Sequence, residues 1–135
     1  MKEMAANPYQ AYQQGAVQTA SPGELTLMLY NGCIKFIKMA RMGFEQHNIE
    51  VKNENLLKAQ KIIQELMVTL DTSATVGKEM MVMYDYMNQR LIEANVQNRV
   101  EILDEVEQYA VEFRDTWKQV IQMNRKQTHG SGGQA

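Results

Sequence analysis

The sequence predicts an all-α protein: an antiparallel four-helix bundle with a flexible N-terminal arm and a disordered C-terminal tail. Three observations carry that prediction. Proline occurs only at Pro8 and Pro22, so beyond residue 22 no proline breaks a helix. The abundant Ala, Leu, Met, Gln, Glu and Lys favour helix over strand. Apolar residues then recur at spacings of three and four in four successive runs, the pattern of helices that each give one stripe to a shared core. With 135 residues, 44% of them hydrophobic, the chain has the size of one domain with one core. It divides into an arm (1–20), a bundle (21–123) and a tail (124–135).

The arm is rich in Gln, Ala, Asn and Tyr and lacks sustained periodicity, with Asn7, Pro8 and Gly15 as punctuation. Tyr9 and Tyr12 are three apart, so a single helical turn sets both rings on one side, each with a large apolar area and a hydroxyl that stays wet. Two aromatic anchors on a mobile arm point to docking.

The stretch TASPGELTLMLYNG, residues 19–32, starts the first helix. Ser21 is placed as its N-cap, Pro22 at the first helical position where a missing N–H is harmless, and Glu24 where its carboxylate reaches back to the cap amide. The helix is expected over 22–46. Leu25, Leu29, Gly32, Phe36, Met39, Ala40 and Gly43 share one face, and Leu27, Tyr30, Ile34 and Ile37 form a second, adjoining one. Only Asn31, Lys35, Lys38 and Arg41 make a polar strip, so this helix is expected to be covered on two sides, by its bundle neighbours and by something else. Gly32 and Gly43 each cost roughly 1 kcal/mol against Ala in a helix, which implies close packing of another backbone there.

His47, Asn48 and the charged run 50–55 are expected to connect to the second helix, which extends to about residue 70. Its inward stripe is Leu56, Ala59, Ile63, Leu66, Met67 and Leu70, with Leu57 and Val68 off the stripe. Residues 71–75 and Gly77 supply turn chemistry. The third helix, about 78–95, turns Met80, Met83, Tyr84, Met87, Leu91 and Ala94 inward. Met81, Val82, Tyr86 and Ile92 do not join them, an apolar excess that the bundle alone does not use. A short polar connection, 95–98, implies an antiparallel neighbour. The fourth helix, about 99–123, is regular: Ile102, Val106, Tyr109, Ala110, Phe113, Trp117, Val120 and Ile121 face in and the carboxylates face water. The tail has nothing to bury.

Composition removes several classes of function. A formal net charge of −2 gives no global basic field for nucleic acid. Cys33 is the sole cysteine, so no intrachain disulfide forms, and a cytoplasmic location is expected. No apolar run approaches the roughly 18 to 20 residues of a membrane span, and the N-terminus lacks the apolar core of a signal peptide, so no membrane insertion is expected. The helical Glu-x-x-His ligand pattern is missing, and His47 and His129 sit in a connection and in the tail; no metal, cofactor or catalytic role is expected of them. Cys33 lies in the apolar part of the first helix with no cationic neighbour to activate it. Gly130, Gly132 and Gly133 do not make a phosphate loop. An enzyme is not expected. The eleven methionines suit either core filling or a surface that adapts to a partner.

Three stretches carry a family resemblance: NPYQAY at 7–12, the segment 19–32 quoted above, and LDT at 70–72 followed by YDYM at 84–87 and RLIEAN at 90–95. In their order and spacing they resemble the flagellar secretion chaperones of the FliS family. With the fourth helix the resemblance spans the chain to about residue 123. Asn31 stands where family proteins often carry Asp. The resemblance implies a cytoplasmic bundle whose surface receives the C-terminal segment of flagellin, prevents its premature polymerisation and delivers it to the flagellar export gate. The off-stripe residues Leu27, Met28, Tyr30, Ile34, Ile37, Leu57, Val68, Met81, Val82, Tyr86 and Ile92 are then the expected client-binding set, with Tyr9 and Tyr12 of the arm docking in the same groove when no client is present. The alternative is a structural or regulatory helical protein that self-associates through those faces and has no flagellin client.

Overall fold

The first helix begins where the sequence places it. The computed structural model describes the backbone of residues 21–134 and the side chains of Ser21 and residues 23–125; the arm, with Tyr9 and Tyr12, lies outside the described residues. Helix α1 is Pro22–Glu45, followed by α2 (Ile49–Val68), α3 (Thr75–Gln97) and α4 (Ile102–Gln134). The Ser21 hydroxyl accepts from the Glu24 amide at 3.2 Å, and the Glu24 carboxylate accepts from the Ser21 amide at 3.0 Å. This reciprocal pair satisfies two of the donors that a helix start leaves over.

Helix α1 ends on His47, whose φ of 54° is left-handed. The Asn48 amide then donates back to the Gly43 carbonyl at 2.8 Å and the His47 amide to Phe44 at 3.2 Å, the paired bonds of a Schellman ending. Asn48 at once caps α2, its side chain accepting from Val51 at 3.1 Å. The second helix therefore starts at Ile49, and the expected connection over residues 50–55 is corrected to its first turns. Lys52 and Asn55 in that run are buried, a tertiary fact that overrides their polar character. Gly43 makes the tight hairpin possible: a Cβ there would lie 2.6 Å from the Lys52 backbone nitrogen and 2.9 Å from its Cα.

Gly77 is likewise corrected, from a turn residue to a buried position in the first turn of α3. A Cβ on it would lie 1.9 Å from the Asp71 carbonyl oxygen, so the connection over residues 69–74 crosses α3 where no side chain can stand. Helix α3 ends on Asn98, left-handed at φ 57°, with the Arg99 amide bonded to the Ala94 carbonyl at 3.0 Å.

The four helices form a ring in which α1 adjoins α2 and α4, α2 adjoins α3, and α3 adjoins α4. The α1–α2 contact is the most extensive and α3–α4 the least. Between them lies a core that includes Phe36, Ile37, Leu56, Ile62, Ile63, Leu66, Met87, Leu91, Leu103 and Val106. Each such side chain contributes about 1.5–3 kcal/mol by leaving water. Tyr109, Phe113 and Trp117 pack on this core half-buried. Residues 122–125 are exposed, and the helical backbone of α4 continues through Gln134.

Candidate functional site

Which apolar side chains remain for a partner depends on how α4 seats. The Arg41 guanidinium donates to Asp104 at 2.8 Å and to Glu107. Arg114 reaches the Asn31 carboxamide oxygen at 3.4 Å, and the Trp117 indole donates to the Gly23 carbonyl at 2.7 Å. These ties lay α4 along the second apolar face of α1. Tyr30, Ile34 and Ile37, expected on a face open to a client, are buried in the core. That expectation is corrected: α4 itself is what covers α1. Leu27 and Met28 remain half-buried near the start of α1.

Inside the bundle the hydroxyls of Tyr30 and Tyr84 share a hydrogen bond across the diagonal from α1 to α3. The Phe113 ring lies 6.2 Å from Tyr84 edge to face and 6.3 Å from Tyr109 stacked, and Tyr109 meets Tyr86 at 6.3 Å edge to face. Burial pushes both Tyr30 and Tyr84 above the ordinary phenol value, so the pair stays neutral and bonded. Burial also pushes the Cys33 thiol up to about 12, so it carries no thiolate near neutral pH and acts as a small core residue. Among the described residues no group of His, Cys, Asp and Glu could hold a metal ion, and no helix is long and apolar enough to cross a membrane.

The remaining client-binding candidates fall into two places. Tyr86 and Val82 occupy the outer side of α3, where the Tyr86 hydroxyl donates to Glu105 of α4 at 2.8 Å and Arg90 holds the same carboxylate at 3.1 Å. Leu57, Val68, Met81 and Ile92 come together instead on the seam between α2 and α3. Lys52 lies beside Asn95 and Asn98, and the antiparallel run from that contact sets Leu57 beside Ile92, Gln60 beside Asn88 and Met67 beside Met81. Leu57 is 53% exposed, Val68 76% and Val96 79%. Between Met81 and Val96 the α3 side of this seam carries a single charge, Asp85. Sequence reasoning passed over Gln60, Asn88 and Val96. Their signal was spacing, because Asn88 follows Met81 by seven residues and precedes Ile92 by four, and so shares their stripe.

At the end of the seam Lys52, only 7% exposed, sends its ammonium to the Asn98 side chain at 3.0 Å and the Asn95 carbonyl at 3.4 Å, and lies 5.4 Å from the centre of the Phe44 ring. A cation at the carbonyl end of α3 complements the helix dipole. It also lines a pocket of roughly 170 Å³ with Phe44, His47, Asn48 and Ile49. Lysine thus pins three helix ends together.

Residues 5–124 match the family described as Flagellar protein FliS. The flagellar secretion chaperone FliS of Bacillus subtilis (strain 168) is 58% identical over 127 residues, which cover 94% of this chain and 96% of that protein. Its counterpart in Salmonella typhimurium (strain LT2) is 34% identical over 122 residues, covering 85% and 90%. A solved structure described as a flagellar chaperone from bacteria superposes with a TM-score of 0.70 over 86% of this chain and 96% of that one, at 20% identity, and so shares the fold. These relatives are chaperones, which is not an enzyme class. On the family match and the identity along nearly the whole chain, this protein belongs to the FliS family of flagellar secretion chaperones.

Proposed function

We propose that the chain is a cytoplasmic export chaperone that binds the C-terminal segment of flagellin, prevents its premature polymerisation and delivers it to the flagellar type III export apparatus. The observation that carries this reading is the α2–α3 seam. Leu57 and Val96 are exposed beside half-buried Ile92 at one end of the seam, and Val68 beside half-buried Met81 at the other, two apolar patches on one face that the bundle does not use for itself. A disordered amphipathic segment that folds on binding is the partner such a preformed seam suits, and Met67 and Met81 let it adapt. Leu27, Met28, Val82 and Tyr86 extend the surface around the bundle. Tyr9 and Tyr12 dock on it in the free protein and leave when the client arrives. The chain acts without a cofactor and without nucleic acid.

The reading is tested by seeded flagellin polymerisation followed by light scattering. An equimolar amount of the chain is expected to suppress elongation, and a Leu57→Lys, Ile92→Lys variant that stays helical by circular dichroism is expected to lose that effect. Elongation at the same rate with and without the chain would refute it.

A further inference from the structure

We infer that Asn88 is a polar anchor for the client: the α2–α3 seam accepts an amphipathic segment with an uncharged buried edge that places a hydrogen-bond donor over the Asn88 carboxamide. This inference rests on the client reading above and adds the chemistry by which the seam selects. The Oδ1 atom of Asn88 is buried and has no hydrogen-bond partner among the described residues. Turning the amide over exchanges which of its ends lies buried. Native proteins retain few such groups, because each carries an uncompensated loss of hydration.

Its position separates it from the other buried, unpaired amide oxygen among the described residues, that of Asn55. Asn55 is 3% exposed and its amide nitrogen donates to the Val51 carbonyl at 2.8 Å, so it is shut inside the bundle. Asn88 as a residue is only half-buried, so a turn of its carboxamide brings the oxygen to the edge of the seam, where a bound segment can meet it. Gln60, 8% exposed, stands beside it in the antiparallel register. The two amides make one polar rung between the apolar rungs Leu57 with Ile92 and Met67 with Met81.

That order sets what can lie there. Apolar side chains of the client cover the outer rungs, and a backbone N–H or the side chain of a Ser, Thr, Asn or Gln meets the middle one. A charged client residue would lose its hydration and find an opposite charge on α3 only for a cation at Asp85. An all-apolar client edge would leave Asn88 unpaired in the complex as in the free chain. The seam thereby discriminates among amphipathic segments of equal hydrophobicity.

Calorimetric titration of a synthetic peptide of the flagellin C-terminal segment tests this with the full chain and its Asn88→Leu and Asn88→Ala variants. Both variants are expected to bind about tenfold more weakly, or about 1.4 kcal/mol. The free Asn88→Leu chain is expected to melt at or above the wild-type temperature, because it no longer buries an unpaired amide. Leucine alone weakening binding would indicate a clash and overturn the inference, as would a lower melting temperature for Asn88→Leu, which would mean that the amide is paired within the bundle. Unchanged affinity in both variants overturns it while leaving the client reading intact. A wild-type chain that does not bind the peptide overturns that reading and this inference with it.

Discussion

The indole N–H of Trp117 donates to the backbone carbonyl of Gly23 at 2.7 Å, joining the middle of α4 to the first turn of α1 across 94 residues of sequence. Nearby, Arg125 pairs with Glu24. The start of α1 is thus held from two directions, by its own cap and by α4.

Trp117→Phe keeps most of the ring and removes the donor. It is expected to destabilise the chain by about 1 kcal/mol, lowering the melting temperature by roughly 3 to 5 °C in a chain of this size. Calorimetry measures the shift, and an unchanged melting temperature would show that the bond contributes nothing net.

The cap makes a pH-dependent contribution. The Ser21 amide bonded to its carboxylate, helped by the Arg125 charge and the Ser21 hydroxyl and opposed by partial desolvation, holds Glu24 below its ordinary 4.5. A carboxyl depressed in the folded state adds stability above its unfolded value, and that stability is lost as pH falls through the folded one. The deficit of Glu24→Ala in urea unfolding is therefore expected at about pH 7 and to shrink by about pH 3. Ser21→Ala is expected to lose about 1 kcal/mol. A Glu24→Ala deficit independent of pH would contradict the carboxylate's role.

Three helical glycines are expected to respond differently to alanine. At Gly23 a Cβ meets Ile121 at 3.5 Å, an ordinary contact, whereas at Gly43 and Gly77 it strikes the backbone of Lys52 and Asp71. Gly23→Ala should leave stability unchanged or raise it by up to about 1 kcal/mol, while Gly43→Ala and Gly77→Ala should each lose about 1–3 kcal/mol through forced backbone shifts. Chemical denaturation of the three variants checks the order.

Tyr30 and Tyr84 supply a test of coupling. Removing one hydroxyl strands the other in the core, so Tyr84→Phe should lose about 1–3 kcal/mol, whereas Tyr30→Phe combined with Tyr84→Phe should recover most of it. Additive losses in the double-mutant cycle would deny the bond. Because burial raises both groups above 10.0, the folded chain keeps protons that the unfolded chain releases, and stability should decline as pH rises above about 10.

Local signals were legible in the sequence and neighbour identities were not. Ser21, Pro22 and Glu24 mark the start of α1 because capping depends on residues three apart in the chain. The stripe of α2 through Leu56, Ala59, Ile63 and Leu66 is likewise a local periodicity. The second face of α1 was visible as an excess, but periodicity does not say whether α4 or a partner covers Tyr30, Ile34 and Ile37. The start of α2 was missed because residues 50–55 look solvated, and only the partners of Lys52 at the end of α3 explain its burial. Asn88 escaped notice for the complementary reason: polar residues on a helix normally signal water, and only atomic burial reveals the unpaired oxygen.

Whether the open α2–α3 face receives a client is measured by size-exclusion chromatography with light scattering, with and without the flagellin C-terminal peptide. A monomer is expected for the chain alone, and with peptide a one-to-one complex that Leu57→Lys with Ile92→Lys abolishes. A concentration-dependent dimer that ignores the peptide would contradict it and assign the exposed face to self-association.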